Sequence, residues 1–177
     1  ITLTPTAINA TSQPTRIPAK TPTRSGPLSL VEQLTATYTA TPLAVETPHP
    51  VSEAYRMAMR AYRRSDWPSA LEAFRQAIQA EPQAADLWFY QGEVNRFQHQ
   101  FETALEAYDA AIEVNPQFAP AYVGKARVRL ALDPEKDVSD ELEHAISADP
   151  GFVDAYLERA AYLIGRAQYP AARRDLE

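Results

Sequence analysis

The dipeptides Glu81-Pro82, Asn115-Pro116 and Asp149-Pro150 recur at intervals of 34 residues. A fixed period of that length admits few folds. It marks a stack of supersecondary units, each unable to bury its apolar face alone, so that unit must pack on unit. Such stacks present extended surfaces in place of enclosed active sites. Proline cannot continue a helix and turns the residue before it away from helical angles, so each of the three marks a helix end. Alignment on them gives units of about 51–84, 85–118 and 119–152, with an incomplete fourth at 153–177.

Each complete unit reads as two helices. In the second unit, Ala84 to Gly92 opens a helix that runs to about Gln98, and Phe101 leads another that Pro116 stops. Ala104, Leu105, Tyr108, Ala111 and Ile112 share one face of that second helix by their three- and four-residue spacing. Pro68 and Pro170 stand at one phase of the repeat, at a helix start where proline is tolerated. The predicted fold class is all-α: a solenoid of about three and a half helix-turn-helix units.

These residues resemble the tetratricopeptide repeat. That pattern pairs a large aromatic with Gly or Ala, then an aromatic, Ala, an aromatic, Ala and a closing Pro. The second unit supplies Trp88, Gly92, Phe101, Ala104, Tyr108, Ala111 and Pro116, and the first supplies Ala58, Trp67, Ala70, Phe74, Ala77 and Pro82. Ala54 replaces the large aromatic of the first unit. In the third unit, Tyr122, Ala126, Ala145, Ile146 and Pro150 fit, but Leu132 to Asp137 replaces the usual turn. Val138 stands there where a small Ala is expected, which would splay the helix pair. Tyr156, Ala160, Tyr169 and Ala172 carry the fourth unit.

The resemblance implies a concave groove, lined by the first helix of each unit, that takes extended peptides or proteins. The matching positions are Tyr55, Met59, Tyr62, Phe89, Glu93, Phe97, Arg127 and Leu130. An equally open reading makes these aromatics inter-unit packing residues. The family's clamp for an acidic C-terminal carboxylate uses Lys, Asn and Arg. Its positions here hold Tyr55, Met59, Tyr90, Pro120 and Gly124, none basic or an amide, which disfavours a chaperone-tail adaptor.

Both ends of the array read as open. No cap precedes the first unit, and Tyr156, Leu157, Tyr162, Leu163 and Ile164 belong to a unit whose partner helix is cut short. One reading is a fragment of a longer array; the other is a second copy that covers these residues and stacks head to tail, and a heterologous contact that does not close makes a filament.

The first 50 residues differ in kind, holding 12 of the 13 threonines and 8 of the 15 prolines. Such a mix favours extended or polyproline-II backbone, with a hint of helix only at Leu28 to Leu34. Thr/Pro tracts of this kind resemble the O-glycosylated stalks of secreted and cell-surface proteins, including prokaryotic ones that carry such repeats. Thr4, Thr6, Thr21, Thr23, Thr35, Thr37, Thr39 and Thr41 are the candidate attachment sites. Asn9-Ala10-Thr11 is a weak match to the N-glycosylation triplet. Leu34 to Val45 alternates small apolar groups and suits docking in a neighbouring copy's groove.

Composition narrows the function. Residues 51–177 hold 14 Lys and Arg against 21 Asp and Glu, whereas a phosphate-tracking surface needs clustered bases, so nucleic acid is not an expected partner. There is no cysteine and no apolar run of membrane-spanning length. His49, His99 and His144 have no metal-ligand spacing, and the five glycines form no phosphate loop. The acidic run from Asp133 to Glu143 lacks the order of a calcium loop and reads as a solvated helix start. The expectation is a non-enzymatic protein without cofactor or metal. Its first form is an extracellular filament with a docked, glycosylated tail, and its alternative is a peptide- or protein-binding scaffold with a flexible tail.

Overall fold

A computed structural model describes residues 53–177. Among them are eight helices: α1 (Glu53–Arg63), α2 (Trp67–Ala80), α3 (Ala85–Phe97), α4 (Phe101–Val114), α5 (Ala119–Leu132), α6 (Ser139–Ala148), α7 (Val153–Gly165) and α8 (Tyr169–Leu176). They pair as α1–α2, α3–α4, α5–α6 and α7–α8, and each second helix also packs on the first helix of the next pair. First helices further touch one another, α3 on α5 and α5 on α7. The layer whose helices approach more closely lies inside the curve, so α1, α3, α5 and α7 form the concave side.

The turns between units obey the 34-residue period in atomic detail. After α4 and α6, an Asx residue precedes proline and its side chain accepts from the amide two residues on: Asn115 from Gln117 (3.0 Å) and Asp149 from Gly151 (2.9 Å). This local bond is why Asn and Asp favour turns. The proline carbonyl then finds a partner six residues later. Trp88 Nε1 donates to the Pro82 carbonyl (3.0 Å), Tyr122 Oη to that of Pro116 (3.1 Å) and Tyr156 Oη to that of Pro150 (3.2 Å). The large aromatic near the start of α3, α5 and α7 therefore ties each of these helices to the turn before it.

The turns inside units share a second signature. Ser65, His99 and Ala167 sit at one phase, each with φ between 56° and 58°. None is glycine, and a side chain in this left-handed region costs about 1 kcal/mol. Ala167→Gly is therefore expected to raise the unfolding free energy by about 0.5–1 kcal/mol in urea denaturation.

The third unit departs here, as its residues foretold. Residues 133–138 replace the left-handed turn, and α6 begins at Ser139, one turn later than its counterparts. Val138 lies just outside the helix, fully buried against Ala126 and Leu142. The bulkier residue is accommodated by shortening the helix. Asp140 and Glu141 occupy the first turn of α6, where the helix dipole favours them.

The main apolar core runs from α1 through Ala145 on α6 to Ala155 on α7, and two small clusters stand beside it. Ala126, Val138 and Leu142 form a separate cluster, and Ala160, Ile164 and Ala172 another. The junction of the third and fourth units combines apolar contacts of Ala155 and Tyr162 with a set of polar ones. Arg127 Nε donates to Glu158 (2.7 Å), Tyr162 Oη to Asp137 (2.8 Å), and Arg166 to the carbonyls of Glu135 (2.5 Å) and Lys136 (3.0 Å).

Candidate functional site: the concave face

The expected groove residues fall into two sets. Tyr62, Phe89 and Glu93 are buried, the latter two completely. Tyr62 makes edge contacts with Trp67, Phe74, Tyr90 and Phe97 at 5.3–6.4 Å. Phe89 meets Phe118 at 5.7 Å. These side chains form the floor beneath the concave face. Tyr55, Met59, Phe97 and Leu130 are half-buried, and the Arg127 side chain keeps about a tenth of its surface. They are the part a ligand can reach.

At the centre of the floor lies a charged cluster. Glu93 accepts two bonds from Arg96 (2.9 and 2.8 Å) and one from the Tyr108 hydroxyl (2.5 Å). Burial pushes the Glu93 carboxyl up, but these bonds and the charges of Arg96 and Arg127 more than reverse it, leaving it below the usual range. Burial and the Glu93 charge push the Tyr108 hydroxyl well up, so it stays a donor. Tyr108 itself lies between two glycines. A Cβ added at Gly92 or at Gly124 would sit 2.6 Å from its ring. Only bare backbone on both α3 and α5 lets the ring lie flat enough to reach Glu93.

The second charged pair behaves differently. Burial pushes the Glu158 carboxyl up to about 8 and the Arg127 guanidinium down. Burial is the leading cause of both shifts, the desolvation cost that a buried ion pair has to offset. Glu158 also edges a cavity of about 290 Å³ between α5 and α7, whose walls include Leu130, Pro134, Ala161 and Tyr162. This cavity opens from the concave layer and is large enough for a bulky side chain.

The expected stacking residues are used largely within the array. Tyr156 bonds its own turn, Tyr162 packs beside Ala126 and Leu142, and Leu163 and the buried Ile164 pack toward Ala172. Leu157 is exposed (38 %). The candidate glycosylation threonines, the triplet at Asn9 and the docking segment Leu34 to Val45 lie outside the described residues. So does the tail domain as a whole. Among the described residues, no helix is long and apolar enough to cross a membrane, and no three His, Asp or Glu cluster as metal ligands.

Sequence reasoning missed the cluster of Glu93, Arg96 and Tyr108. Its one visible signal was Gly124, a glycine where the preceding unit has Tyr90. It missed the Arg127–Glu158 pair because those residues are 31 apart on different units.

No curated protein matches the chain. Several solved structures share its fold. The TPR2B domain of yeast Sti1, in its pHsp70 complex, aligns with TM-score 0.55 and 24% identity over 69% of this chain and 94% of that one. The first TPR of Spaghetti (RPAP3), bound to the HSP90 peptide SRMEEVD, aligns at 0.54 and 14% over 70% and 92%. MamA aligns at 0.60 and 19% over 82% and 81%. At these identities the likeness is one of fold. Residues 55–98 match the family model described as Tetratricopeptide repeat, and the described part of the chain is an all-α solenoid of helix pairs.

Proposed function

We propose that this chain is a non-enzymatic protein-interaction scaffold whose concave face takes an extended segment with a large apolar side chain. The cavity between α5 and α7 carries the reading. It offers Leu130, Ala161 and Tyr162 as apolar walls and Glu135, Glu158 and Arg166 as charged edges, set in a layer with half-buried Tyr55, Met59 and Phe97. Pockets of a few hundred Å³ with apolar walls and few polar groups are the usual form of a ligand site. Two of the structural relatives hold chaperone peptides, by their descriptions. The residues here select differently. Tyr55, Met59, Tyr90, Pro120 and Gly124 supply no positive charge, so an apolar anchor replaces a carboxylate as the specificity element.

A filament stacked through apolar end faces is the weaker fit, because the outward side of α1 and the turn after it carry four exposed arginines. Glycosylation, surface location and tail docking rest on residues 1–52 and are further proposals, decided by intact mass and electron microscopy.

The test uses a labelled peptide of residues 34–45 and a phage-displayed peptide library, each against the full chain. Binding on the order of 10 μM is expected for at least one. Leu130→Asp, checked for folding by circular dichroism, should weaken it about tenfold or more. Failure of both probes, or indifference to Leu130→Asp, would sink the groove reading.

A further inference from the structure

The repeat lets one face be compared at equal phase in successive units. Tyr90, Val94 and Phe97 on α3 turn toward the preceding helix pair. Tyr90 stacks on Phe74 at 5.5 Å, Phe97 stacks on Trp67 at 4.7 Å, and Val94 is fully buried. The same phases on α1 hold Arg56, Arg60 and Arg63, followed by Arg64. All four are exposed, and none forms an ion pair among the described residues. With Tyr55 and Met59 they line a cavity of about 430 Å³.

Three guanidinium groups on α1 and a fourth in the turn after it lie within roughly a screening length of their neighbours. No ion pair among the described residues offsets their like charge. An acidic partner would relieve it, and the apolar floor of Tyr55 and Met59 gives that partner somewhere to bury methylenes. A helix is the shape that fits, because in every later unit this face receives the second helix of the unit before it. Nucleic acid fits less well, since residues 51–177 carry an excess of acid that repels a phosphate chain.

We infer that the outer face of α1 docks an acidic amphipathic helix of a partner protein, seated where a preceding repeat's second helix would lie. Its carboxylates meet Arg56, Arg60, Arg63 and Arg64, and its apolar side chains cover Tyr55 and Met59. This surface shares Tyr55 and Met59 with the first end of the concave layer but has no residue in common with the cavity between α5 and α7.

The experiment titrates the full chain into a labelled helical peptide with glutamates spaced i, i+4, i+7 and i+8 and leucines beside them. Its glutamine counterpart and a DNA duplex of about 20 base pairs serve as comparison probes. Saturable binding is expected for the glutamate probe, about tenfold weaker for the glutamine probe and weakened by salt. The double variant Arg56→Glu/Arg60→Glu should lose about tenfold or more, with its helix content unchanged because both positions are exposed. Leu130→Asp should leave this binding intact.

Equal binding of the two peptides, tighter binding of the duplex, or no saturable binding at all would overturn the assignment. Loss of binding in Leu130→Asp would do so as well, by moving the site to the groove. Self-association that Arg56→Glu abolishes would name the chain's own acidic α6 as the occupant and would equally overturn it.

Discussion

Glu93→Ala is expected to lower the free energy of unfolding by about 3–5 kcal/mol, the usual cost of removing one partner from a buried charge pair. The carboxylate has no exposed surface, and the Arg96 side chain keeps only 13%. Its removal strands that guanidinium and the Tyr108 hydroxyl together in the floor of the concave face. Glu93→Gln should fall between wild type and alanine, because it keeps an acceptor for Tyr108 but loses the charge that holds Arg96. Urea denaturation followed by circular dichroism reads both. A loss under about 1 kcal/mol for the alanine variant would mean that Arg96 swings out to water, which its stack over Phe97 at 4.3 Å opposes.

Gly124→Ala is expected to destabilise by about 1–3 kcal/mol, against an intrinsic helix preference for alanine of about 1 kcal/mol. The new methyl would lie 2.6 Å from the Tyr108 ring. The ring cannot retreat, because Gly92 fits it equally closely from α3. Gly92→Ala should behave alike, and for the same reason. In a Tyr108→Leu background, which removes the trapped ring, either alanine should cost much less than in the wild type. A double-mutant cycle measures that coupling directly. Additive behaviour would show that the sandwich is not the origin of the effect.

The sequence made the helices legible because proline and the spacing of small and aromatic residues report local backbone and one buried face. The ends of α3 and α4 fall within a residue of the reading from Ala84, Phe101 and Pro116. What stayed hidden depended on neighbours distant in sequence. Periodicity places Tyr62, Phe89 and Glu93 on the face of the first helices but does not say how deeply adjacent units cover it. Ser65, His99 and Ala167 adopt left-handed backbone without the glycine that would have announced it. The turn after Leu132 was read as irregular, but the later start of α6 was not, since Val138 sits equally well by pattern inside a helix or before one. The arginines of α1 were visible. Their meaning came only from setting them beside Tyr90, Val94 and Phe97 in register.

The main core reaches Ala155 on α7, and Tyr162 packs on the cluster of Ala126, Val138 and Leu142. The fourth unit is therefore the lid of the third: apolar side chains as well as the Arg127–Glu158 pair hold it in place. An array whose units cover one another in this way loses more than length when it is shortened. A truncation before Val153 would uncover the apolar end of the third unit and also remove one wall of the cavity between α5 and α7.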